Sequence, residues 1–277
     1  MWYLQHRPGP ECDFFRLFCE QGHYGGRTVP TDTRQGIYCV APSGRFLASI
    51  NTTDPRAMAK MLELALERWE HLPRAERLPA APPPAPPESV KLRGEARYPE
   101  GGLALAVHSR NLPREKGPTD WRAEARNRDY AWFTAEEARS MAKGGAVPAA
   151  LVKRLARCNF VDNVYGQTHG YHEREIEKAE LTATVAKVAG QKTHLLFRGA
   201  TRAVSEGRGV ELKLDGRAVF DGETGRFVEF EMVATGERWG GTQYNCRDDD
   251  PGPSGIGFAL VLAGANERVA PALVWNY

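Results

Sequence analysis

A proline-rich stretch divides this chain near residue 80. Leu72–Ser89 reads LPRAERLPAAPPPAPPES. Proline has no backbone N–H and restricts the residue before it, so such a stretch favours extended polyproline II structure over helix or sheet. It predicts a semi-rigid spacer. We therefore expect a small domain at residues 1–72, a linker at 73–89 and a larger domain at 90–277.

Composition and charge narrow the possible partners. The 277 residues are 42% hydrophobic and 26% charged, which is typical of a globular protein, and the formal net charge is only +2. This charge does not favour nucleic acid or an acidic membrane surface, and no apolar run reaches the ~20 residues that span a bilayer. The first residues resemble no signal peptide. We expect a cytoplasmic protein or a mature exported form whose signal peptide is absent, with a small-molecule or protein partner of unknown identity.

The segment Gly36–Trp69 predicts two strands followed by a helix. Ile37–Ala41 is rich in β-forming residues, a Pro-Ser-Gly turn follows, and Arg45–Ile50 resumes a strand. Capping side chains then precede Pro55, as at many helix starts. Apolar residues recur beyond it at three- and four-residue spacing, which predicts one buried helix face.

The larger domain is predicted to be α+β. Its pattern favours a curved antiparallel sheet with helices on one side. Two helices are expected: one within Arg122–Met141, clearest at Thr134–Met141, and one at Pro148–Cys158. The predicted strands are Val90–Tyr98, Leu103–His108, Leu181–Val188, Thr193–Arg198, Val210–Phe220, Arg226–Ala234 and Phe258–Leu262.

The segment Gly36–Trp69 resembles the C-terminal half of the thioredoxin-like superfamily, in which a β-hairpin is followed by a final helix. The likeness covers about the first quarter of the chain. The whole chain also resembles uncharacterised bacterial thioredoxin-family proteins that carry a β-rich C-terminal domain. The resemblance implies a thioredoxin-like fold for residues 1–72 and would imply dithiol chemistry, but the chain has no Cys-x-x-Cys.

Five widely scattered cysteines indicate no disulfide framework. Cys12 lies roughly where the resemblance places a nucleophilic thiol, just before a predicted helix. The next cysteine, Cys19, is seven residues on, which in a helix is ~10 Å of rise. A disulfide needs Cα atoms within about 7 Å, so the spacing disfavours a rapid dithiol cycle. One alternative remains a thiol-redox enzyme that uses Cys12 with Cys19 as the resolving thiol.

A second alternative is a copper or zinc protein. Cys19 and His23 are four residues apart, which would place them on one face of a continuous helix, and thiolate and imidazole both bind these metals. His169 and His172 form the other candidate pair, in a loop after the second helix. Structural explanations compete in both places: a core cysteine beside a loop histidine, and two solvated loop histidines.

The loop Arg238–Asp250 carries the most varied chemistry of the larger domain. Trp239 and Tyr244 offer stacking surfaces, and Arg247 offers an anion contact, so we predict these three as ligand-binding residues. An ordinary turn with a solvated acidic run would have a similar composition. The leading hypothesis is a two-domain protein that combines a non-standard thioredoxin-like module with a β-rich domain that binds a ligand or a partner.

Overall fold

A computed structural model shows two compact units. One contains the described residues up to Arg97 together with 268–270, and the other contains Tyr98–Glu267 with 271–277. The helices in the described part of the chain all lack the length and apolar character that a bilayer crossing requires. The structure describes residues 14–15, 18–19, 21–22, 36–52, 54–79, 97–264 and 267–277.

The first unit contains the predicted hairpin. Strands β1 (Ile37–Val40) and β2 (Phe46–Ile50) pair antiparallel. The turn between them closes through a hydrogen bond of 2.9 Å from Ala41 N–H to the carbonyl of Arg45. Gly44 has a φ of 87°, a left-handed conformation that glycine adopts without steric cost. The predicted turn at Pro-Ser-Gly is therefore confirmed.

The predicted helix follows as α1 (Pro55–His71). Asp54 caps it, because its side chain accepts a hydrogen bond of 2.7 Å from Ala57 N–H, and Pro55 occupies the first turn. Met61 and Ala65 on its apolar face pack against β2. A short helix, α2 (Arg74–Arg77), occupies the start of the predicted linker. The proline run lies outside the described residues, so the linker and domain bounds stay predictions.

The second unit is built on an eight-stranded antiparallel sheet, which confirms the predicted α+β class. The elements are β3 (Leu103–Asn111), β4 (Arg126–Phe133), α3 (Ala135–Ala142), β5 (Gly145–Ala146), α4 (Ala149–Cys158), β6 (Ile176–Ala189), β7 (Lys192–Ser205), β8 (Arg208–Asp221), β9 (Arg226–Trp239) and β10 (Ser254–Leu262). The spatial strand order is β4-β3-β10-β9-β8-β7-β6-β5. Strands β6, β7 and β9 extend well beyond one predicted end, whereas β8 nearly matches its predicted range.

The two faces of this sheet differ sharply. The inner face shares one hydrophobic core with α3 and α4, and alternate residues such as Phe197, Met232 and Leu260 point into it. The outer face carries charged pairs, including Arg198 with Asp215 on the neighbouring strand. An antiparallel sheet with one solvated face has this alternation. From Phe230 to Arg238, the register places every second residue of β9 on the inner face.

Helix α3 begins where the sequence predicts. Thr134 accepts a hydrogen bond of 3.2 Å from Glu137 N–H, and the Glu137 carboxylate accepts one of 2.8 Å from Thr134 N–H. The two bonds form a capping box. Arg154 of α4 donates two hydrogen bonds of 2.8 Å to Glu137, so the same carboxylate joins both helices.

Thr134→Ala is expected to lower the free energy of unfolding by about 1 kcal/mol, because one donor at the helix N-terminus loses its acceptor. Urea denaturation measures this change. Thr134→Ser keeps the hydroxyl and should unfold close to the wild type. Equal losses in the two variants would show that the threonine methyl, rather than the cap, stabilises this position.

The helix predicted within Arg122–Met141 is α3, and the sequence analysis did not predict the strand that precedes it. Arg126–Phe133 forms strand β4, which pairs with β3, and only a four-residue 3-10 turn at Trp121–Glu124 precedes it. The strand lies at the edge of the sheet with five buried residues in succession, so it lacks the alternation that indicates a strand. The predicted strand Val90–Tyr98 lies mostly outside the described residues.

Candidate functional site

The predicted thiol and N-terminal metal residues are described only in part. Cys12 and His23 lie outside the described residues. Cys19 is helical and completely buried. The pairing of Cys12 with Cys19 and the ligation of a metal by Cys19 and His23 therefore stay predictions.

The histidine pair His169 and His172 lies in an exposed loop. The backbone carbonyl of His169 accepts a hydrogen bond of 3.0 Å from Arg208, and His172 N–H donates one of 2.7 Å to Glu175. The described ranges contain no group of three or more His, Cys, Asp or Glu side chains placed to hold a metal ion. Copper or zinc binding at these histidines stays a prediction.

The three predicted ligand-binding residues of the 238–250 loop are not brought together. Trp239 ends β9 on the outer face, where Arg202 lies 5.2 Å from its ring. A Cβ on Gly209 would lie 2.1 Å from the indole, so only glycine fits beneath it. Tyr244 is exposed. Arg247 turns inward and is buried among charged side chains.

Arg247 belongs to a buried arginine–aspartate cluster, which consists of Arg114, Asp162, Arg238, Arg247 and Asp250. Three chain segments supply it: the segment after β3, the loop after α4, and the end of β9 with its following loop. The loops meet closely, because Gln167 N–H donates a hydrogen bond to the carbonyl of Tyr244. A Cβ on the neighbouring Gly166 would lie 2.1 Å from that carbonyl oxygen, so glycine allows this approach.

Asp250 is the shared partner of all three arginines. Arg114 donates two hydrogen bonds of 2.8 Å, one to each carboxylate oxygen, and Arg247 donates another of 2.8 Å. Arg238 donates one of 2.7 Å to the carboxylate and one of 2.6 Å to the backbone carbonyl. Burial raises the pKa of Asp250, but the Arg114 hydrogen bond and the charges of Arg238 and Arg114 outweigh this effect. The net pKa is lowered, so Asp250 is held ionised.

Asp162 holds Arg247 from the other side. Its two oxygens accept hydrogen bonds of 2.8 Å from Nε and 2.7 Å from Nη2 of Arg247. Arg247 also donates a hydrogen bond of 2.9 Å to the side-chain oxygen of Asn111 and stacks 3.7 Å from the ring of Tyr165. Arg247 is therefore fixed on every side, in the bidentate geometry that arginine offers a carboxylate.

The guanidinium group of Arg238 has fewer hydrogen-bond partners than that of Arg247. Its side chain has no exposed surface, yet its Nε lies 3.8 Å from Asp162 and has no hydrogen-bond acceptor among the described residues. Burial and the neighbouring charge of Arg247 lower the pKa of its guanidinium. Within the same described part of the chain, Asn111 Nδ2 and Ser254 Oγ are also buried without a partner. Asn111, Arg238 and Ser254 all lie on the inner face at the same end of the sheet.

The rim of the cluster carries an exposed ion pair and aromatic rings. Arg122 donates hydrogen bonds to both oxygens of Asp249, with Nη2–Oδ2 at 2.9 Å. The preceding Trp121 meets Tyr165 edge-to-face at 5.9 Å. Tyr165 therefore lies between the exposed indole and the buried Arg247.

A second buried acid lies on β4, apart from this cluster. Asp129 accepts hydrogen bonds of 2.7 Å from Ala272 N–H and 3.4 Å from Asn159 Nδ2. Burial raises its pKa to about 6, because these neutral donors do not offset the loss of water. Asn159 also accepts a hydrogen bond of 3.1 Å from the hydroxyl of Tyr277. Asp129 thus helps to hold the C-terminal residues against the sheet.

No protein-family model matches this chain, and comparisons with curated proteins and with solved structures give no match. The function is therefore argued from the residues themselves. Sequence reasoning identified Arg247 as an anion contact and named Arg238 and Asp250 in the same loop. It missed Arg114 and Asp162, which lie 136 and 85 residues from their partners. No sequence signal links residues so far apart when their pairing depends on the strand order.

Proposed function

We propose that the β-rich domain binds a small anionic ligand at the arginine–aspartate cluster. The rest of the proposal is a two-domain protein in which residues 1–72 form a non-standard thioredoxin-like module. That part is supported by the order of hairpin and helix in β1, β2 and α1. It agrees with the resemblance of Gly36–Trp69 to the superfamily.

The observation that carries the proposal is an imbalance of charge. Three guanidinium groups, those of Arg114, Arg238 and Arg247, share two carboxylates, those of Asp162 and Asp250. Two of the three arginines are completely buried. A buried charge without a counter-ion is strongly unfavourable. An anion at the cluster would restore neutrality and give the unpartnered N–H of Arg238 an acceptor.

The available donors indicate the chemistry of the ligand. Guanidinium N–H groups bind carboxylate and phosphate oxygens through two parallel hydrogen bonds. Asn111 Nδ2 and Ser254 Oγ add neutral donors at the same end of the sheet. These groups suit a single small oxyanion, whose placement needs only a few polar groups at fixed positions.

Arg114→Gln tests the proposal because it removes the unmatched charge. Arg114 is the only cluster arginine with an exposed surface, and without it two guanidiniums face two carboxylates. Isothermal titration calorimetry with sodium acetate and with sodium phosphate should show saturable binding to the wild type. We expect binding to the variant to be 10- to 100-fold weaker, the loss typical of a charge-assisted hydrogen bond.

Arg198→Gln is the matched control. It changes the net charge by the same amount but lies on the outer face of the sheet, paired with Asp215. Its affinity for both anions should equal that of the wild type. Absence of saturable binding to the wild type, or equal losses in the two variants, would contradict a specific anion site.

A further inference from the structure

We propose a second subsite at the rim of the cluster for an aromatic carboxylate, whose carboxylate takes the place of Asp249 on Arg122 while its ring lies against Trp121. This inference goes beyond the proposed function, because Arg122 lies outside the five-residue cluster. It introduces Trp121, Arg122 and Asp249 as the residues that determine specificity.

The two partners of the Arg122–Asp249 ion pair differ in their exposure to solvent. The Arg122 side chain is only 16% exposed, and Asp120 holds it through a second set of hydrogen bonds of 3.0 and 3.1 Å. The Asp249 side chain is 68% exposed. If the pair opens, the guanidinium therefore stays in position while the carboxylate moves into water. Arg122 is a preformed carboxylate site with an internal occupant that can leave.

The geometry of this pair favours a ligand carboxylate over other anions. Both oxygens of Asp249 accept from both terminal nitrogens of Arg122. An incoming carboxylate reproduces these two parallel hydrogen bonds without moving the guanidinium. The Asp249 carboxylate is 68% exposed, so water screens its attraction to Arg122, and competition from Asp249 lowers the apparent affinity by about 5-fold.

Trp121 supplies the preference for an aromatic ring. Its side chain is 60% exposed although it lies next to a largely buried arginine. Asp120 fixes this turn, since its carboxylate accepts a hydrogen bond of 3.0 Å from Arg122 N–H. Tyr165 supports the indole at 5.9 Å and lies 5.8 Å from the Arg122 guanidinium. An apolar ring bound beside its own carboxylate would cover exposed aromatic surface without burying a charge.

The test compares benzoate with acetate, which share a carboxylate and differ in the ring. Calorimetric titration of the wild type should give a lower Kd for benzoate than for acetate. Trp121→Ala should weaken benzoate binding about 3- to 10-fold and leave acetate binding unchanged, because only benzoate contacts the indole. Leu196→Ala, which removes an exposed apolar side chain from β7, is the control and should change neither.

Asp249→Asn separately tests whether a ligand carboxylate replaces that of Asp249 on Arg122. Loss of the internal competitor should tighten the binding of both anions, by up to about 5-fold. Asp215→Asn removes an exposed acid from the outer face and should leave both affinities unchanged. The test measures affinity in folded, full-length protein, so a purely structural role of Asp249 would not produce tighter binding.

The outcomes separate the two proposals. Binding of acetate and benzoate with equal affinity, unaffected by Trp121→Ala, overturns the aromatic assignment and leaves the anion site standing. Unchanged or weaker binding in Asp249→Asn overturns the exchange. Absence of binding by either anion contradicts both the cluster site and the rim subsite.

Discussion

Asp250→Asn is expected to lower the free energy of unfolding of the β-rich domain by about 3–5 kcal/mol. The carboxylate is the one group that contacts Arg114, Arg238 and Arg247 together. Without it, two completely buried guanidiniums depend on Asp162 alone. The main cost is therefore the buried positive charge left behind, and the loss of attraction within each pair is a smaller contribution.

Urea denaturation followed by far-UV circular dichroism measures this loss. Asp215→Asn is the matched control, because it removes an equivalent carboxylate from an exposed pair with Arg198 and should cost less than about 1 kcal/mol. A loss in Asp250→Asn as small as in the control would show that water reaches the cluster freely.

The second large effect concerns pH. The pKa of Asp129 is about 6 in the folded protein, against 3.8 for an ordinary aspartate. The folded state therefore holds a proton that the unfolded state has already released, so this residue makes stability fall as pH rises from about 4 to 6. The difference of about two pH units corresponds to about 3 kcal/mol.

Asp129→Asn should remove this contribution while keeping an oxygen that accepts from Ala272 N–H. Relative to the variant, the wild type is expected to lose about 2–3 kcal/mol of stability between pH 4 and pH 7. Urea titrations at several pH values measure the difference. Glu137→Gln is a control in which the pH dependence of stability should have the opposite sign. Burial raises the pKa of Glu137, but the hydrogen bond from Arg154 outweighs this effect, so the net pKa is lowered. A pH-independent difference between wild type and Asp129→Asn would mean that Asp129 is solvated.

Other buried ionisable groups behave as core residues. Burial raises the pKa of the Cys158 thiol to about 11, so it stays protonated near neutral pH and is a poor nucleophile. Cys39 has its pKa raised in the same direction and lies 3.6 Å from the sulfur of Met61. Of the described free cysteines, Cys246 is the exposed one.

Local patterns predicted much of the fold because their causes are local. The capping box of Thr134 and Glu137, the Asp54 cap before Pro55 and the Pro-Ser-Gly turn between β1 and β2 each depend on residues within four positions of one another. The long strands were predicted from alternating or clustered apolar residues, and β6, β7 and β9 are longer than predicted. Their ends carry polar residues such as Arg238, which are buried by contacts that no local pattern contains.

The candidate site could be predicted from the sequence only in part. The sequence indicated that the 238–250 loop is chemically rich, yet it did not reveal which of its side chains face inward. The β9 register decides this: Arg238 points to the core and Trp239, one residue on, to the outer face. A shift of one residue would exchange them.

By itself, the sequence determined the α+β class, the hairpin and helix within Gly36–Trp69 and the start of α3, since propensity, capping and periodicity act over a few residues. Near the proline-rich stretch Leu72–Ser89 it also indicates a division of the chain. Only the tertiary structure decided which charges meet. Arg114, Asp162 and Asp250 are joined because β3, the loop after α4 and the end of β9 converge at one end of the sheet. The strand order brings these segments together, and interactions between residues close in sequence do not determine the strand order.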